Sequence, residues 1–254
     1  MKKLLLVSTL LVSTSLLAAP AIPLEQQISS VETYEVSGDE LILMGLGDEH
    51  KSRGGIPGGI TGGDTDPEPT DRPTIGDRAD NAGRVISAAR DMVALGEAIY
   101  ELVKKGKPSN MTEYAPISVI PRDPMTKEIA DIFDMEGFSM PVERNFVTKI
   151  KNGTGKEVVI FNYKVVYSYG GSYNGAGRYL TNVIIVPSSI RTSFGWEFNA
   201  SMKLSGMMNH GSRANPVAGV MVTVKYQMNG WRTAFERNDT IHITGAGQLK
   251  NLNI

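Results

Sequence analysis

Three histidines, His50, His210 and His242, are the side chains suited to proton transfer or metal ligation near neutral pH. They lie far apart in sequence, and none stands in an H-x-x-x-H or H-E-x-x-H setting that would bring two imidazoles onto one helix face. A His-based metal site is therefore not expected. The chain has no cysteine, which excludes thiolate nucleophiles and cysteine zinc sites. His242 falls within Thr240-Ile241-His242-Ile243-Thr244, where strand alternation sets it opposite the two isoleucines. A lone strand histidine of this kind reads as a satisfied core or surface residue. No G-x-S-x-G elbow, P-loop or dinucleotide fingerprint occurs. Gly170-Gly171 and Gly175-Ala176-Gly177 precede no helix whose N-terminus would meet a phosphate. No cofactor is expected.

Carboxylates offer little more. Asp64-x-Asp66-x-Glu68 has the spacing of half a calcium loop but lacks its glycine and distal glutamate. Glu197 and Glu236 lie in two strand-like segments and would suit glycosidase chemistry if brought face to face. Exposed acids on sheet surfaces are the ordinary case, so a glycan-acting hydrolase is the second alternative.

The densest unusual feature is Tyr163, Tyr167, Tyr169, Tyr173 and Tyr179, five of nine tyrosines within seventeen residues, interleaved with glycines and Arg178. Tyrosine joins a flat apolar face to a hydroxyl and suits stacking on sugars or anchoring a protein interface. Tyr163 and Tyr167 read as packing residues, whereas Tyr169, Tyr173, Arg178 and Tyr179 form the expected ligand-binding loop. The connection Ser205 to Ala214 is a second candidate, because Met207 and Met208 stand there between Gly206 and Gly211, with His210 and Arg213 nearby.

The elements that would hold these residues are mostly strands. Val85, Ala89, Met92, Gly96, Ile99 and Val103 recur at steps of four and three, and Lys104-Lys105-Gly106 with Pro108 closes the run, so the spacing predicts an amphipathic helix over 82–105. Leu41 to Met44 could form one strand, and Met125 to Phe133 two helical turns. Further strands are expected at 146–150, 158–169, 179–186, 194–204, 217–228 and 231–237, with another at 240–244. Asn152-Gly153-Thr154-Gly155 and Asn229-Gly230 are turn signals, the latter for a two-residue hairpin. In the fourth of these strands Phe194, Trp196, Phe198, Ala200, Met202 and Leu204 alternate with polar residues, so that face should be buried. The expected fold is mainly β: an antiparallel sandwich or barrel-like sheet preceded by one amphipathic helix.

Lys2 and Lys3 before the apolar run Leu4 to Leu17, followed by Ala18, Ala19 and Ala21, read as a signal peptide of residues 1–21. A short segment, 22–50, precedes a linker, 51–80, with seven glycines and four prolines. The helix and sandwich then fill 81–254. Removing 1–21 takes two lysines from 26 basic residues, so 24 face 27 acidic ones, and no basic nucleic-acid footprint exists. The expected protein is secreted or periplasmic and non-enzymatic, engaging a glycan or partner protein at the cell envelope, with membrane contact possible. The alternative is a pore-forming or membrane-binding toxin that inserts the 82–105 helix.

Overall fold

A computed structural model of the chain describes residues 21–45, 85–88 and 90–252. The expected signal peptide, apart from Ala21, and the expected linker lie outside these residues. The fold class is as the strand pattern predicts: two antiparallel sheets enclose one core, and the first sheet curls towards a half-barrel.

Numbered along the chain, the strands are β1 (Ile28–Val36), β2 (Val85–Ala88), β3 (Met92–Leu95), β4 (Ile99–Lys104), β5 (Lys107–Pro108), β6 (Ile117–Pro121) and β7 (Met135–Glu136). They continue with β8 (Val142–Asn152), β9 (Glu157–Tyr173), β10 (Ala176–Thr192), β11 (Glu197–Asn209), β12 (Ala218–Asn229), β13 (Ala234–Thr244) and β14 (Leu249–Asn251). The first sheet runs β1-β8-β9-β10-β6-β3-β2, with β7 against the end of β9, and the second runs β14-β13-β12-β11-β4-β5. The register of β10 against β9 shifts at several points. One shift lies between Thr181 and Ile184, where Asn182 takes φ 56°. Asparagine tolerates that conformation, and each extra residue sharpens the local twist.

Facing side chains of the two sheets meet through aromatics. Phe161 of β9 lies 5.5 Å from Phe198 of β11 and 6.3 Å from Tyr226 of β12, ring centre to ring centre. Burial leaves each tyrosine hydroxyl needing a partner. Tyr226 donates to the Tyr163 hydroxyl at 3.3 Å and accepts from Thr148 at 3.2 Å. Burial pushes both tyrosines well above their ordinary pKa, so both stay neutral.

The segment expected to be an amphipathic helix over 82–105 is instead β2, β3 and β4. The helical stripe would bury Ile99 and Val103 together, yet Ile99 is exposed while Tyr100 and Leu102 enter the core at strand spacing. Gly96 decides the matter locally. Its φ is +130°, and a Cβ there would stand 2.6 Å from the Pro116 carbonyl oxygen, so this residue serves a close β3–β6 crossing and not a helix interior.

The helix of the fold is shorter and earlier. Ser37 and Glu40 form a capping box that starts α1 (Gly38–Leu43), so Leu41 to Met44 is helical where a strand was expected. Leu41 and Val36 pack on Val147, covering the outer face of the first sheet. Met125 to Phe133 makes no helix beyond a turn begun by Asp123, which accepts from the Met125 and Thr126 amides, and a 3-10 turn at Ile132–Asp134.

The alternating strand at 194–204 also needs adjustment. Phe198, Ala200 and Met202 are buried as expected, but β11 begins at Glu197, leaving Phe194 97% exposed in the preceding turn. Trp196 is half-buried at the sandwich end, with its ring over Gly230. Trp196→Ala is therefore expected to cost about 1–2 kcal/mol, less than the roughly 3–5 kcal/mol of a fully buried large aromatic. Urea denaturation of the two proteins measures the difference.

Candidate functional site

The strongest local constellation lies on the outer face of the second sheet, where its strands receive the 210–217 loop. β11 carries a bulge between Leu204 and Gly206. One extra residue inverts the face of everything after it. Met207 consequently joins the core, whereas Met208 shares the outer face with Gly206 of its own strand and Gly219 and Met221 of β12. The two methionines were expected together in a loop, but the strand continues through Asn209 and separates them.

After Asn209 the chain leaves the sheet in a tight turn. Asn209 Oδ1 accepts from the Gly211 and Val217 amides at 2.8 and 2.9 Å, and the His210 amide donates to the Val217 carbonyl at 2.8 Å. These bonds close the loop on itself and fold the His210 ring back over β12. Gly219 makes the space for it: a Cβ there would meet His210 Nε2 at 2.5 Å and His242 Nε2 at 3.1 Å. His242 arrives from β13, with Ile241 and Ile243 buried beneath it and Met221 and Lys250 paired on either side.

The two imidazoles converge. His210 Nε2 and His242 Nε2 are 2.9 Å apart, and the ring centres are separated by 4.8 Å at 57°. Such a contact requires one nitrogen to donate and the other to accept, so at least one ring is neutral. Burial first, and the nearby His210 second, hold the His242 imidazole below its ordinary value. The linkage has a definite sign. A depressed folded value means that the unfolded chain takes up the proton first as pH falls below about 6.5. His242 thus supports stability at neutral pH, and that support is lost on the acid side. His242→Gln should flatten the fall in denaturation midpoint between pH 7.5 and pH 5, and an unchanged slope would contradict the assignment.

Thr244, Ala246, Gln248 and Lys250 line the other side of this open depression. The turn carrying them is fixed by bonds from Thr244 N to the Gln248 carbonyl and from Gly247 N to the Thr244 carbonyl, each 2.9 Å.

The tyrosines expected to bind a ligand stand close behind this turn. Tyr163 and Tyr167 are fully buried, and Tyr167 Oη donates to the Gly247 carbonyl at 3.2 Å. The Tyr169 ring lies against Gly247, where a Cβ would come within 2.6 Å of it. Tyr179 is 3% exposed, with its ring over Gly177. Tyr173 donates to Asp123 Oδ2 at 3.0 Å, which raises its own pKa and helps lower that of the carboxylate. The expected Tyr/Gly-rich loop is thus the end of the β9–β10 hairpin, where Tyr179 is buried and Tyr169 and Tyr173 are half-buried against the core. Arg178 is exposed, and its amide donates to the Pro216 carbonyl while the Gly177 amide donates to Asn215 Oδ1. Arg178 and the His210 loop, two separate candidates in the sequence, are neighbours.

Comparison of the chain with known protein families, with characterised proteins and with solved structures finds no match. The functional reading rests on the chain's own geometry.

The reading of His242 as a lone strand histidine is overturned, because His210 meets it. What separated them in sequence, 32 residues, is one strand and its hairpin. Glu197 and Glu236 do not form an acid and base pair. Glu236 accepts from Gln227 at 2.6 Å and pairs with Lys225 at 3.0 Å, contacts that hold its carboxyl below the usual range and suit it poorly to donate a proton. Glu197 accepts from the side chain of Asn199.

Proposed function

We propose that the chain is an exported, non-enzymatic binding protein whose ligand is a transition-metal ion held between His210 Nε2 and His242 Nε2. The observation that carries this reading is the 2.9 Å separation of the two nitrogens. Two imidazole nitrogens bound at about 2.0–2.1 Å in adjacent positions of a square-planar or tetragonal centre stand about 2.9 Å apart. An ion at that distance from both nitrogens stands off the line that joins them, so each ring turns to aim its lone pair at the ion, while the separation is kept for Cu(II) or Ni(II) and widens for a tetrahedral ion. Among the described residues no group of three or more His, Cys, Asp or Glu is placed to hold a metal. The remaining positions of a divalent ion fall to water in the open depression.

Export is proposed from the signal-like N-terminus. The non-enzymatic character is proposed from the missing catalytic motifs and from the ionised, salt-bridged Glu236. A glycan or protein ligand at Tyr169, Tyr173, Arg178 and Tyr179 has less support, because Tyr179 is buried and Tyr169 and Tyr173 are half-buried against the core. Membrane insertion by 82–105 has lost its helix, since Tyr100, Leu102 and Val103 belong to the core.

Titration of the purified chain with Ni(II) and Cu(II) tests the proposal. One ion per chain is expected, with His210→Ala or His242→Ala weakening binding by about 100-fold or more. The same affinity and stoichiometry in both variants would end it.

A further inference from the structure

Building on the two-histidine reading, we infer that this site takes Cu(I), with the Met208 and Met221 thioethers completing a soft, uncharged donor set. The inference rests on the register of β11, β12 and β13. Met208 stands directly opposite Gly219, the residue over which both imidazoles lie, and Met221 stands directly opposite His242. Directly opposed residues on one face of an antiparallel pair have Cβ atoms about 4.5–5.5 Å apart, within reach of a flexible methionine. The sheet is built to let these side chains lie flat, since each methionine faces a glycine across the β11–β12 pair: Met208 faces Gly219 and Met221 faces Gly206. The Met221 methyl lies over Gly206 on the β11 side, 2.8 Å from where a Cβ would stand, so a change of rotamer brings its sulfur back towards His242 on β13.

Charge makes the same selection. Residues 204–223 and 240–252, which supply this face, contain no Asp or Glu, so no anionic ligand offsets a double positive charge. Lys250, paired with His242 on β14, adds a cation at the edge. Its repulsion acts with half the force on a singly charged ion. Thioether and imidazole together are donors that favour Cu(I), whereas divalent zinc is commonly held by sites that include thiolate or carboxylate. Met207 takes no part, because the bulge at Leu204/Gly206 turns it into the core. The bulge therefore decides which of two adjacent methionines reaches the metal.

The test is anaerobic competition for Cu(I) against a chromogenic Cu(I) chelator, with Ni(II) titration beside it. The wild-type chain should withdraw one Cu(I) per molecule. Met208→Leu and Met221→Leu, volume-conserving changes that keep the fold, should each weaken Cu(I) binding about tenfold or more and leave Ni(II) binding within twofold. Met207→Leu should change neither. Unaltered Cu(I) affinity in the Met208→Leu/Met221→Leu double variant, while His242→Ala abolishes Ni(II) binding, would overturn the thioether assignment and leave the two-histidine site standing. Failure of His210→Ala and His242→Ala to alter either titration would remove both.

Discussion

Replacing Arg237 with leucine should lower the unfolding free energy by about 3–5 kcal/mol, the usual cost of leaving a buried charge without its partner. Asp239 is fully buried between the sheets, and Arg237 Nε donates to its Oδ1 at 2.9 Å. Thr33 Oγ1 of β1 donates to the other carboxylate oxygen at 2.5 Å, and Arg237 Nη1 donates to the Val31 carbonyl at 2.9 Å. This pair thus fastens β13 of one sheet to β1 of the other. The loss should be much larger than for any exposed ion pair such as Arg144–Glu35, where solvent screening leaves about 0–1 kcal/mol. The double variant Arg237→Leu/Asp239→Leu should recover part of the stability, because no buried charge is then left unpaired, although Thr33 Oγ1 and the Val31 carbonyl each lose one bond. A single variant within 0.5 kcal/mol of wild type in urea denaturation would contradict this account of the seam.

Gly96→Ala should destabilise the protein by about 2–4 kcal/mol. The new methyl would meet the Pro116 carbonyl oxygen at 2.6 Å and the Ile117 Cα at 2.9 Å, and an L-residue is strained at φ +130°. The sign separates two structures of the same segment. In an amphipathic helix over 82–105 the substitution would stabilise by about 1 kcal/mol, since alanine is the better helix former. A raised melting temperature for Gly96→Ala would therefore restore the helix and dismantle β2 to β4.

That segment shows where sequence patterns mislead. Apolar residues at steps of four and three are also what short strands broken by Arg90-Asp91 and Gly96 produce when counted across the breaks. The competing signal was present in Ile99-Tyr100-Glu101-Leu102-Val103-Lys104, where exposed Ile99 and Glu101 alternate with buried Tyr100 and Leu102. The C-terminal strands were legible because their alternation is long. Val158 to Tyr169 falls inside β9, all of Val217 to Met228 but its first residue falls inside β12, and Phe198, Ala200 and Met202 face inward as read.

The site was less legible, because it depends on register, which a local pattern does not carry. A two-residue turn at Asn229-Gly230 would place His242 opposite Val217. The hairpin instead pairs Asn229 with Ala234, four residues apart in the turn, and this moves His242 opposite Met221. The bulge at Leu204/Gly206 is equally silent in composition, yet it sets which methionine faces outward. Of the tyrosine cluster, conspicuous in sequence, Tyr167 and Tyr169 brace the Gly247 turn beside the histidines.

Electron paramagnetic resonance of the Cu(II)-loaded chain tests the pairing of His210 with His242 most directly. One equivalent of Cu(II) should give a tetragonal spectrum with superhyperfine splitting from two imidazole nitrogens, and His242→Ala should reduce it to one. A wild-type spectrum matching that of the His210→Ala/His242→Ala variant would show that these imidazoles do not meet on a metal.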